Sequence, residues 1–164
     1  QEKMSRKIQK KISKWLFNNR NEMVKDLGIS VRDFTIYSHN LLEDYDFDDY
    51  EGDIYEALML EYYQRYSKFA GDNYEDEYDR WGGAPEQYAI SQILDVPIYV
   101  YVYKKYNRKL NKVENGKIRN NKPEKGVRLE LYQSFGNTNS DKGIHILYKN
   151  TTKCNGHYMC LYQK

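Results

Sequence analysis

Residues 81–102 read W-G-G-A-P-E-Q-Y-A-I-S-Q-I-L-D-V-P-I-Y-V-Y-V, and this stretch decides the fold because it prescribes a turn, a helix and a strand in that order. Gly82 and Gly83 supply permissive backbone, Pro85 suits a first helical position whose N–H has no intrahelical partner, and Glu86 puts negative charge at the positive helix end. Ala89, Ile90, Ile93 and Leu94 then recur at the spacing of one helical face, until Asp95 and Pro97 end the helix. Beyond Pro97, Ile98, Val100 and Val102 alternate with Tyr99, Tyr101 and Tyr103, which predicts a strand with both faces occupied.

Working outward toward the N-terminus, Met4, Ile8, Ile12, Trp15 and Leu16 fall on one face of a helix from Met4 to Phe17, with lysines and arginine on the other. Ser30 suits the cap of a short helix containing Val31 and Phe34. The segment from Leu42 through Asp53 interleaves carboxylates with aromatic residues and reads as a surface loop. Ile54 to Phe69 is the next helix, with Ile54, Leu58, Tyr62 and Tyr66 facing inward. Toward the C-terminus, Lys104 to Asn121 is a basic, elaborated loop carrying a hairpin signal at Asn115-Gly116. Val127 to Tyr132 and Ile144 to Tyr148 read as strands, and the loop K-N-T-T-K-C-N-G leads to a last strand, His157 to Tyr162.

The 164 residues carry a net charge of only +2, unevenly spread. Residues 43–79 hold fourteen acids against two bases, and residues 104–128 hold ten bases against two acids. The near-balance argues against a general polyanion binder, and the acidic run lacks the apolar neighbours that would tune a glycosidase-type carboxylate pair. No apolar run is long enough to cross a membrane, and two cysteines make no disulfide framework. The expectation is one intracellular, cytoplasmic domain over 1–164 without a membrane partner.

The order W-G-G at 81–83, then Glu86 with Ala89-Ile90-Ser91, then the strand after Pro97, resembles the ovarian tumour (OTU) family of papain-like cysteine proteases, most of which are deubiquitinases. Ile144 to Tyr148 followed by His157-Tyr158 extends the resemblance to nearly the whole chain. It implies an α+β, papain-like OTU-type fold in which a small mixed or antiparallel sheet is packed between helices. It also implies thiol-mediated hydrolysis of bonds to ubiquitin or a ubiquitin-like modifier, with no metal and no cofactor. His157 is then the catalytic base and acid, and Trp81, Gly82 and Gly83 shape the cleft. Asp46, Asp48 and Asp49 are candidate contacts for the basic tail of ubiquitin. The family places its nucleophile in a D-G-x-C motif at a helix start, which the resemblance puts ahead of Gln1.

Two features set the alternatives. Met159 stands where family members carry Asp or Asn to orient the imidazole, and it accepts no useful hydrogen bond. A catalytically inactive ubiquitin-binding domain is therefore the second reading. A nucleic-acid-binding module using Lys104, Lys105, Arg108, Lys109 and Tyr106 ranks third. Cys154 and Cys160 begin no helix, and strand alternation sends His157 and Cys160 to opposite faces, which argues against either as nucleophile and against zinc at Cys154, His157, Cys160 and His145.

Overall fold

The helix expected after W-G-G forms at Ala84 and ends at Leu94 in a computed structural model that describes residues 2–25, 27–43, 52–68, 83–108, 111–114, 117–120, 124–137, 142–151 and 154–161. The described chain divides into two compact units, Gln1–Asp95 and Val96–Lys164. Helices occupy the first and the larger sheet the second, which is an α+β arrangement.

In the first unit, α1 (Glu2–Asn18) is followed by a minimal antiparallel pair, β1 (Met23–Val24) with β2 (Ile29–Ser30), and then by α2 (Val31–Ser38). Gly28, at φ +66°, makes the turn between the paired strands. Ser30 caps α2 as its type predicts, its Oγ accepting the N–H of Asp33 at 3.0 Å. Next comes α3 (Ile54–Lys68), whose cap is Asp53, a residue read in sequence only as part of an acidic run. Asp53 Oδ1 accepts the N–H groups of Tyr55 and Glu56 at 3.0 and 3.3 Å. Arg20 and Arg32 both reach Glu56, at 2.8 and 3.2 Å, and so bind the connection around β1 and β2 to the first turn of α3.

The core of this unit is Ile12 and Leu16 of α1, Val24, Val31, Phe34 and Ile36, and Leu58, Met59, Tyr62 and Tyr66 of α3. Leu58, Tyr62 and Tyr66 are thus inward as their spacing requires. Ile8 of α1 is exposed instead. In α4 (Ala84–Leu94) the apolar spacing misleads more: Ala89 is buried, yet Ile93 and Leu94 face solvent, and Pro85, Glu86, Gln87 and Ser91 are buried in their place. The capping residue is Gly83 and the helix starts at Ala84, so Pro85 is its second residue. Asp95 ends it in the left-handed region at φ 50°, a conformation Asp tolerates better than most side chains.

In the second unit, β3 (Ile98–Arg108) runs well into the stretch expected as a loop, and β4 (Asn111–Glu114) pairs antiparallel with β5 (Lys117–Asn120). Glu114 stands opposite Lys117, the register of a two-residue hairpin; the Asn115-Gly116 turn itself lies outside the described residues. After these come β6 (Glu124–Phe135), β7 (Ile144–Thr151) and β8 (Cys154–Cys160). The four-stranded sheet has the order β6-β3-β7-β8. β3 is antiparallel to β6 and parallel to β7, and β8 is antiparallel to β7, so the sheet is mixed. Ile98, Val100 and Phe135 are buried on one face, while the tyrosine face is more open, with Tyr103 exposed. Of the run 149–156 expected as a loop, residues 149–151 belong to β7 and residues 154–156 to β8, with Lys149 paired to His157 and Thr151 to Cys154. Ladder hydrogen bonds satisfy the backbone regardless of side-chain polarity, so an edge hairpin can carry lysine, asparagine and threonine.

Gly143 is required by space rather than by torsion. A Cβ there would lie 2.6 Å from the Tyr99 ring and 3.0 Å from the carbonyl oxygen of Pro97. This lets Ile144 N–H donate to Pro97 O at 2.8 Å and start the parallel β3–β7 ladder.

Candidate functional site

Glu86 is the third residue of α4, where a glutamate can turn back on the capping residue. Its Oε2 accepts the N–H of Gly83. The carboxylate is 1% exposed, and an ion so placed needs partners. Two come from other helices: the Tyr62 hydroxyl of α3 donates to Oε1, and His39, the residue that caps the C-terminus of α2, brings Nε2 to 2.9 Å from the same oxygen. An ionised carboxylate only accepts, so Nε2 carries the proton. The Tyr62 ring lies 5.2 Å from the His39 ring and stacks on Tyr66 at 5.3 Å.

The electrostatics follow from that geometry. Burial pushes the Glu86 carboxyl up, but the hydrogen bond and charge of His39, the Tyr62 hydroxyl and a backbone bond outweigh it and hold it below the usual carboxylate range. Burial, and then the nearby Glu86 charge, push the Tyr66 phenol far above its ordinary value. The cluster therefore stores a carboxylate at neutral pH and fixes the ends of α2 and α4 against the middle of α3. A glutamate holding an imidazole is part of triad logic. Its effect here is to fix Gly83, one of the three residues expected to shape the cleft. Room at Gly83 is limited but not closed, since a Cβ would meet Glu86 Oε2 at 3.3 Å and His39 Cε1 at 3.5 Å. Its φ of −91° is open to any residue, so close approach and not permissive backbone is its reason.

Sequence reasoning missed this cluster. It took Glu86 for a charge at a helix end, and His39, 47 positions earlier in the chain, shares no local pattern with it.

The remaining expected residues fall as follows. Trp81, Gly82, Asp46, Asp48 and Asp49 lie outside the described residues. His157 is in β8 opposite Lys149, with its side chain outside the described residues. Met159, opposite Leu147, shares the strand face of position 157 and is exposed; Cys160, opposite Ile146, is exposed and belongs to the other face. His145 pairs with Tyr99 across the parallel ladder, stacks on it at 4.9 Å and on Tyr101 at 5.7 Å, and takes part in a 3.1 Å hydrogen bond between Nδ1 and the Tyr101 hydroxyl. It is built into the sheet.

Among the described residues no group of three or more His, Cys, Asp or Glu could hold a metal ion, and no helix is long and apolar enough to cross a membrane. No family model matches the chain, and neither the curated proteins nor the solved structures contain a match to it.

Proposed function

We propose that this chain carries the histidine half of an OTU-type thiol protease that cleaves bonds to ubiquitin or a ubiquitin-like modifier in the cytoplasm. The observation that supports the reading is the sheet order: β3, the strand that directly follows the W-G-G helix, is parallel to β7, and β7 is hydrogen-bonded to the strand bearing His157. Motifs far apart in sequence thus belong to neighbouring strands. In this reading the imidazole of His157 takes the proton of a cysteine in the D-G-x-C motif that the resemblance places upstream. The thiolate attacks the carbonyl carbon of the modifier's terminal glycine, the C–N bond after it breaks, and His157 returns the proton to the departing amine. Water then hydrolyses the thioester and restores the thiol. Trp81, Gly82 and Gly83 shape the cleft wall, and Asp46, Asp48 and Asp49 steer a basic tail.

Met159 supports a second reading, a non-catalytic ubiquitin-binding domain, because it shares the face of position 157 and its thioether cannot orient an imidazole. Turnover of a ubiquitin-amide substrate by the full-length protein separates the two. The enzyme reading expects His157→Ala to lower kcat by about a hundred- to ten-thousandfold with an unchanged melting curve. Ubiquitin binding without turnover supports the second reading. Turnover undiminished in His157→Ala removes His157 from the mechanism.

A further inference from the structure

Among the described residues, the order β6-β3-β7-β8 leaves β6 at an edge of the sheet, hydrogen-bonded on one side to β3. Every second N–H and C=O along such a strand points outward, and natural edges are normally blunted by short length, bulges or unmatched charge. β6 spans twelve residues. Its middle is open on both faces: Leu129 and Leu131 are 48% and 51% exposed, and the Arg128 and Glu130 side chains are 62% and 39% exposed. Leu129 stands opposite Tyr103 and Leu131 opposite Tyr101, so the two leucines extend the tyrosine face of β3. Arg128 and Glu130 take the other face.

We infer that β6 is a self-association edge, pairing antiparallel with β6 of a second copy of this chain about a twofold axis through Leu129. The argument for a second copy is charge complementarity. In that register Arg128 of each copy stands opposite Glu130 of the other, twice over, and Leu129 meets Leu129. Moving the axis to Glu130 would put two carboxylates face to face, and moving it to Leu131 would set Arg128 opposite Ser134 and lose both ion pairs. Such a twofold contact is isologous and closes, so it yields a dimer rather than a filament. It also makes the two exposed leucine and tyrosine faces continuous. The irregularity where Val100 pairs with Gln133 but Tyr101 with Leu131 leaves Tyr132 unmatched, and this bulge ends the flat part of the edge.

Sedimentation of the full chain over a wide concentration range tests the proposal. A monomer–dimer equilibrium is expected, and Arg128→Glu or Glu130→Arg alone should raise its dissociation constant by about tenfold or more. The double variant should return toward the parent, because the pairs re-form with reversed sense. Melting curves show that each variant is folded. An independent measurement uses a background of Cys154→Ser and Cys160→Ser: Leu129→Cys should form a covalent dimer on mild oxidation. Leu131→Cys should not, since the two positions would be offset by four residues, about 13 Å along the strand. A chain that stays monomeric at every concentration overturns the proposal. So does a double variant no better than the single ones, or cross-linking through position 131 but not 129.

Discussion

Each unit contains a glutamate whose carboxyl is held below its ordinary range, and the two could hardly be placed more differently. Glu86 is enclosed by Gly83, Tyr62 and His39, with almost no surface left to water. Glu130 lies on the open sheet, where the hydrogen bond from Lys104, opposed by desolvation, combines with the charges of Lys104 and Arg128 to lower it. The direction of the shift is the same, but its structural consequence is not. A surface ion pair replaces water contacts of similar strength, whereas a buried carboxylate has no water to return to when a partner is removed. Burial, more than pairing, determines what each is worth.

The comparison breaks most sharply at Glu86. Glu86→Ala deprives the Tyr62 hydroxyl, the Gly83 N–H and the His39 ring of their acceptor at one stroke, and should destabilise the protein by about 3–5 kcal/mol, read from denaturant midpoints at constant m. A midpoint like that of the parent would mean the cluster does not hold the helices. The pH dependence sharpens the same point. Because the folded carboxyl lies below its unfolded value, its contribution is fully present above the unfolded pKa of about 4.3 and is lost as pH falls through the lower folded value. Glu86→Gln should remove that part of the acid slope of stability, and an unchanged slope would assign acid sensitivity to other carboxylates.

How much of this was legible in the sequence follows from the range of each interaction. The Ser30 cap, the end of α4 at Asp95 and the inward Leu58, Tyr62 and Tyr66 of α3 depend on neighbours within four residues, and they read correctly. The partners of Glu86 come from positions 39 and 62, so sequence showed a helix-end charge where the fold has a buried ion. Ile93 and Leu94 erred the other way: they fit the apolar period yet are exposed. The β7–β8 pairing was misjudged because the polar residues at 149–151 and 154–156 resemble a loop, although ladder hydrogen bonds do not depend on side-chain polarity.

A smaller effect is expected from Tyr62→Phe, which keeps the ring stacked on Tyr66 but removes one donor to Glu86. Hydrogen bonds to charged acceptors are worth about 1.5–3 kcal/mol, less than loss of the carboxylate because Gly83 and His39 still donate. The double variant with Glu86→Gln should cost less than the sum of the two, since both act on one network. Strict additivity in that cycle would show that hydroxyl and carboxylate do not share an interaction.

The smallest effect belongs to the other glutamate. Lys104→Gln removes the ammonium that sits 3.1 Å from Glu130, on a side chain 58% exposed, while Arg128 stays 3.5 Å from the same carboxylate. Water can solvate both freed ends, and salt already screens the pair at physiological ionic strength. The melting temperature should therefore stay within measurement error of the parent, at low and at high salt alike. A clear loss of stability, greater at low salt than at high, would show that this ion pair contributes more than its exposure allows. The contrast between an enclosed carboxylate and an open one would then rest on pairing after all.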